Sequence, residues 1–125
     1  MSTSIILFAH GARDPEWASP LRRVQETIAL QAPGVPVELA FLEFMSPDLP
    51  ACIAKLIDAG SRDFLVLPMF IAQGGHLKRD LPALIEQLRS TWPEARFSLA
   101  EAVGESPEVV QAMAAVALRK AGLAS

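Results

Sequence analysis

Ser4-Ile5-Ile6-Leu7-Phe8-Ala9-His10-Gly11 is an apolar run of strand-forming residues that stops abruptly at a histidine and a glycine. Near-continuous hydrophobicity over a short stretch fits a strand buried on both faces, as in a parallel sheet covered by helices. Asp14-Pro15-Glu16 follows almost at once. It supplies an N-cap side chain, a proline at the first helical position and an acid at the positive end of a helix dipole. The unit is therefore a strand, a polar loop and a helix, and the same pattern recurs along the chain.

Working outward, strands are expected at 4–9, 37–42, 63–70 and 96–101. Ser46-Pro47-Asp48 and Ser106-Pro107-Glu108 repeat the helix-start signal. Trp17, Leu21, Val24 and Ile28 form one apolar stripe, and Leu49, Ile53, Leu56 and Ile57 a second that ends before Gly60. Both are expected to pack on the sheet. Leu81, Leu84, Ile85 and Leu88 form a third stripe, with Asp80 as cap, Pro82 in the first turn and residues 71–79 as a loop. The last helix is expected to turn Val109, Val110, Met113 and Ala117 inward. Four alternating units predict an α/β fold: a four-stranded parallel sheet with right-handed crossovers and helices on both faces, doubly wound.

Composition narrows the function. With 125 residues, 51% of them hydrophobic, the chain is sized for a single domain over 1–125 with its own core. No apolar stretch approaches the roughly 20 residues of a membrane span. The N-terminus lacks signal-peptide character, so a cytoplasmic protein is expected. One cysteine, Cys52, cannot form an internal disulfide or a thiolate cluster, so any metal would be held by His, carboxylate or water. A net charge of −3 provides no basic footprint for nucleic acid.

The candidate chemistry sits where the apolar runs end. His10 closes the first run, Glu43 the second, and His76 follows Gly74-Gly75 after the third, with equal spacings of 33 residues. In doubly wound folds, ligands bind beyond the carboxyl ends of the strands, at the point where strand order reverses. His10, Glu43 and the loop with His76 fall on that edge, and Glu101 ends the fourth strand there. Glycines before a histidine let the backbone turn tightly or approach a ligand. Glu43, between Leu42 and Phe44, is an acid in apolar company that needs a partner or a proton. Two imidazoles and a carboxylate suit divalent iron, cobalt, nickel or zinc. Imidazole, with a reference pKa of about 6.5, also serves as a base near neutral pH.

Other schemes lack their parts. The serines have no Gly-x-Ser-x-Gly elbow, Cys52 falls within a helix, and the glycines form neither a phosphate-binding loop nor a dinucleotide turn. A His-Gly pair after the first strand also occurs in phosphohistidine phosphatases, but the arginine expected before it is Ala9 here.

His10-Gly11-Ala12-Arg13-Asp14-Pro15, the strand end Ala40-Phe41-Leu42-Glu43 with Pro47 beyond it, and Pro68-Met69-Phe70 leading to Gly74-Gly75-His76-Leu77-Lys78-Arg79-Asp80-Leu81-Pro82 together resemble the small CbiX-type sirohydrochlorin cobaltochelatases. The likeness covers essentially the whole chain, and the Gly-Gly-His block with its Asp and Pro is its most specific part. The resemblance implies a class II chelatase that inserts a divalent metal into a tetrapyrrole without ATP. In it, His10 and His76 would bind metal and accept protons, with Glu43 as the supporting acid. The substrate metal would be divalent cobalt, with iron or nickel as alternatives, and no other cofactor is implied. Arg13, Lys78 and Arg79 flank the histidines, where with Gly74 and Gly75 they would meet the carboxylate-rich sirohydrochlorin. Larger relatives hold two such domains around a cleft, so a homodimer is expected to rebuild it.

The chain departs from the family pattern at Ala12, where relatives often carry Ser, and at Glu105-Ser106-Pro107, where a His-Pro pair is common. The second change leaves no further imidazole near the fourth strand. A siroheme ferrochelatase, a nickel chelatase, a non-catalytic metal or tetrapyrrole carrier and a metal-dependent hydrolase remain compatible with the same residues.

Overall fold

The computed structural model describes residues 3–72 and 74–123. Four strands, β1 (Ser4–Ala9), β2 (Val37–Phe41), β3 (Asp63–Pro68) and β4 (Arg96–Leu99), form one parallel sheet in the order β2-β1-β3-β4. Four helices alternate with them: α1 (Ser19–Gln31), α2 (Leu49–Asp58), α3 (Gly75–Thr91) and α4 (Pro107–Lys120). This is the expected four-stranded α/β architecture. Strand order reverses beside β1, which pairs with β2 on one side and β3 on the other, with Ile5 opposite both Val37 and Leu65. The crevice beyond the carboxyl ends of β1 and β3 is therefore where a ligand belongs.

The two sheet faces are covered unequally. On one, Ile6, Phe8, Phe64 and Val66 are buried under Leu49, Ile53 and Leu56 of α2 and Leu81, Ile85 and Leu88 of α3. On the other, Leu7, Ala9, Val37, Leu39 and Phe41 pack with the half-buried Leu21 and Ile28 of α1. The expected burial of both faces thus holds at β1 and β2. At β3 and β4 the second face is left partly open: Leu65 and Leu67 are half-buried, and Arg96 and Ser98 are exposed.

The cause is α4. Four of its five large apolar residues, Val110, Met113, Val116 and Leu118, are exposed, Val110 by 52%, while Val109 is half-buried and no residue of the helix is fully buried. The expected inward packing of Val109, Val110, Met113 and Ala117 is therefore corrected: the apolar stripe exists, but the helix projects from the sheet instead of lying on it. The first stripe is also looser than expected. Trp17 lies in a 3-10 turn before α1, and both it and Val24 are exposed.

The starts of α2 and α3 and the ends of β2, β3 and β4 differ from the sequence reading. Asp48, not Ser46, caps α2, accepting from the Ala51 N–H at 2.9 Å, and Pro50 sits in the first turn. Pro47 lies in the preceding loop, after a cis peptide bond. The helix expected to begin at Asp80 starts at Gly75, so most of the expected 71–79 loop is helical; Gln73 lies outside the described residues. The reason is Leu77, which extends the Leu81, Ile85, Leu88 stripe one turn backward and packs on the same core. Pro82 then falls in the helix interior, on its exposed face. There its ring removes one backbone hydrogen bond without disturbing the buried stripe. β2, β3 and β4 each end short of the expected 42, 70 and 101, so Glu43 and Glu101 lie in the loops beyond.

Cys52 is 2% exposed on the core side of α2. Burial first, and then the nearby Glu38 charge, push its thiol from the ordinary 9.0 up to about 11, against a smaller opposing pull from Lys55. Such a thiol is no nucleophile at neutral pH. Its raised value makes a stability prediction. Between about pH 9 and 11 the unfolded chain loses this proton while the folded chain keeps it, so stability falls across that window. The expected loss is about 2–3 kcal/mol. Urea unfolding at pH 8 and pH 10.5 should show it, and Cys52→Ala should remove this component; an unchanged pH dependence in that variant would refute it.

No helix among the described residues is long and apolar enough to cross a membrane.

Candidate functional site

The β1–β2 pairing runs on past the strand ends and carries Glu43 to His10. Leu42 N–H donates to the Ala9 carbonyl at 2.8 Å, and Glu43 N–H to the His10 carbonyl at 3.0 Å. Gly11 makes this approach possible. It sits at φ +86°, and a Cβ there would lie 1.9 Å from the Glu43 carbonyl oxygen, so only glycine fits. The Phe41 N–H donates to the Pro47 carbonyl at 2.9 Å, which turns the loop back on its own strand.

The β3 side delivers the second histidine. Met69 N–H donates to the Phe8 carbonyl at 2.7 Å, so the chain leaving β3 stays beside β1. Phe70 is buried there, its ring centroid 4.5 Å from that of His10. Gly104, beyond β4, braces the same segment: its N–H donates to the Phe70 carbonyl at 2.9 Å, and a Cβ would meet the Ile71 backbone at 2.2 Å. Gly74 then caps α3, and His76 is exposed in its first turn.

His10, Glu43, Gly74, Gly75 and His76 together line one open cavity of about 400 Å³. Leu42, Leu77 and Asp80 complete its wall. The structure thus brings both histidines, the acid and both glycines to one place at the switch point. Gly74 and Gly75 do not serve a tight turn: Gly74 is extended at φ −72°, and a Cβ on either would meet nothing within 4 Å. Their missing side chains leave the cavity wall beside His76 open.

Other candidates stand apart. Arg13 is exposed, with its guanidinium 4.7 Å from the centroid of the Phe44 ring. Lys78 and Arg79 are exposed on α3 but do not line the cavity, and neither does Glu101. Glu43 is itself exposed, as are its neighbours Leu42 and Phe44, so water meets the need for a partner that apolar flanks had suggested. No three His, Cys, Asp or Glu side chains among the described residues close on a common point that could hold a metal. The cavity therefore presents its donors spread along a wall. Asp80, which the sequence alone suggests only as a helix cap, also lines the cavity. Its position four residues after His76, on the same helical face, was the available signal.

Comparison with known proteins agrees with this geometry. The CbiX family profile matches residues 4–119. Sirohydrochlorin cobaltochelatase from Methanococcus maripaludis is 35% identical over 82 residues, covering 66% of this chain and 57% of the relative. The chain thus spans little more than half the length of that curated relative. The protein of the same name from Sulfolobus acidocaldarius is 30% identical over 106 residues, 85% of this chain and 82% of the relative. Among solved structures, a CbiX protein from Marinobacter aquaeolei VT8, assigned to cobalamin (vitamin B12) biosynthesis, superposes with a TM-score of 0.85 at 29% identity, covering 97% of this chain and 98% of that one. SirB from Bacillus subtilis, solved with Fe3+, superposes with a TM-score of 0.73 at 26% identity, covering 90% of this chain but 44% of SirB. With the family pattern running through nearly every residue from β1 to α4, and its His-Gly and Gly-Gly-His elements meeting in one cavity, the chain belongs to the CbiX family.

Proposed function

We propose that this protein inserts a divalent metal, cobalt in the first instance, into sirohydrochlorin without ATP, as a step of cobalamin biosynthesis. The observation that carries the reading is the convergence of His10, Glu43 and His76 on one open cavity at the strand-order reversal. The name shared by the curated relatives supports the substrate and the metal.

The chemistry balances simply. The free macrocycle carries two pyrrole N–H protons; a divalent ion replaces them on the four ring nitrogens, and two protons leave. His10 and His76, as neutral imidazoles, bind the incoming ion and take up the departing protons, and Glu43 passes them to water. An open wall of donors suits a site that must hand its metal on, because a complete ligand shell would compete with the ring nitrogens. The same feature favours catalysis over the carrier reading. Mixing protein, sirohydrochlorin and cobalt anaerobically and following the visible spectrum tests this. Many turnovers per chain are expected, whereas a single stoichiometric conversion would establish a carrier.

A homodimer is part of the same reading. The apolar side of α4, where Val109, Ala112, Met113 and Val116 line a shallow groove beside Glu108, is left largely open among the described residues. The helix leaves from the sheet edge that bears the cavity, just after Gly104 braces the segment leading to His76. A second copy docked through α4 would cover this groove and stand beside the first copy's cavity, and the family resemblance to two-domain chelatases supports that occupant. Light scattering should give twice the mass of one chain. Met113→Glu combined with Val116→Glu should give a monomer with at least tenfold lower turnover. A monomeric parent with full activity would refute the dimer.

A further inference from the structure

Phe44 is the one non-glycine residue among those described with a positive φ, at +68°. A bulky side chain in the left-handed region crowds the backbone, and glycine or asparagine would make the same turn with less strain. The turn is held from both sides, by the Glu43 N–H on the His10 carbonyl and by the Phe41 N–H on the Pro47 carbonyl. Its closure therefore does not depend on a phenylalanine. Nor does the ring serve the core, because it is 57% exposed. The contact recorded on it is the Arg13 guanidinium at 4.7 Å, and a cation over so exposed a ring adds little stability. Strain kept at an exposed aromatic, one residue beyond Glu43 of the cavity wall, points to a ligand.

We propose that Phe44 is a substrate-contacting residue that stacks on the face of the tetrapyrrole, while Arg13 pairs with a carboxylate at the ring's periphery. The proposal rests on the function given above and names the groups that hold the substrate. A flat conjugated macrocycle presents a broad π-face, which an aromatic ring meets in offset stacking. A guanidinium already resting on that ring is placed to bond a carboxylate at the macrocycle's rim. The pair combines a rigid apolar shelf with a charged hook on adjacent loops, after β2 and β1.

The test is direct titration of metal-free sirohydrochlorin, anaerobically, into the parent, Phe44→Gly and Phe44→Trp, with thermal melts and light scattering on each. Phe44→Gly relieves the backbone strain, so its melting temperature should equal or exceed that of the parent, yet its affinity should fall about tenfold. Phe44→Trp should keep the affinity. Phe44→Asn, which tolerates a positive φ, repeats the loss if the glycine variant proves too mobile. Equal affinity in parent and Phe44→Gly overturns the proposal alone. A loss of dimer mass in Phe44→Gly, with affinity restored at high protein concentration, also overturns it and assigns Phe44 to the subunit contact. A parent that binds no sirohydrochlorin overturns the functional reading, and this proposal with it.

Discussion

Alanine at His10 or at His76 is expected to lower kcat/KM for cobalt insertion by about 10²–10⁴-fold, the range for losing a positioned acid–base group. Both side chains are exposed on the cavity wall, so their removal opens no core void. His76 lies in the first turn of α3, whose anchoring comes from Leu77, Leu81, Ile85 and Leu88. Both variants should therefore melt within a few degrees of the parent. If both histidines hold the same metal, as proposed, the two losses should be far from additive. Glu43→Gln should cost less, about tenfold, because the proposed role of the acid is to pass protons on without holding the ion. Anaerobic visible-spectrum assays with matched melting curves measure all of this. Either histidine variant retaining half the parent rate would remove that residue from the mechanism, and an equal loss with a collapsed melt would make its role structural.

Gly11→Ala carries the second large effect, on fold and function together. Two independent constraints meet at this residue: φ is +86°, and a Cβ would sit 1.9 Å from the Glu43 carbonyl oxygen. A backbone atom cannot swing aside as the tip of a side chain would, so the β2 loop must retreat. That movement breaks the bond from the Glu43 N–H to the His10 carbonyl, which sets the spacing of the acid and the first histidine. A cost of about 2–4 kcal/mol is expected for a backbone forced into a strained conformation and a clash with the Glu43 carbonyl, with a lost backbone hydrogen bond. This corresponds to a fall of roughly 10 °C in melting temperature. Activity should fall at least as far as in Glu43→Gln, even at temperatures where the variant remains folded. Gly34→Ala is the internal control: its φ is also positive, at +90°, but a Cβ there meets nothing within 4 Å. It should cost about 1 kcal/mol and leave turnover intact. Equal effects at the two glycines would show that conformational preference alone, and not the contact with Glu43, explains the first.

The site was legible in the chain to the extent that each residue's place follows from a strand end. His10 and Glu43 terminate consecutive apolar runs, and in a parallel sheet such termini share one edge whatever the strand order. His76 needed only the glycines before it to mark the third. Where a local signal is ambiguous, the sequence does not decide between the alternatives. Pro82 fits either the first turn or the exposed face of a longer helix, and Leu77 decides between them only through its contact with a distant core. Ser46-Pro47-Asp48 contains two capping side chains, and only the folded loop shows that Asp48 reaches the Ala51 N–H.

By itself, the sequence determined four strand–helix units, the parallel sense of the sheet, and the edge on which the histidines and the acid stand. Those properties come from hydrophobic periodicity and short-range capping, which act over a few residues. The tertiary structure alone decided that β1 lies between β2 and β3, that Gly11 seats against Glu43, that Phe44 is held at a positive φ, and that α4 leaves its apolar face uncovered. Each of these depends on which distant segments meet. An apolar stripe such as Val109, Val110, Met113 and Ala117 states that a helix needs a partner, but whether its own sheet supplies one is settled by the geometry of the turn that precedes it.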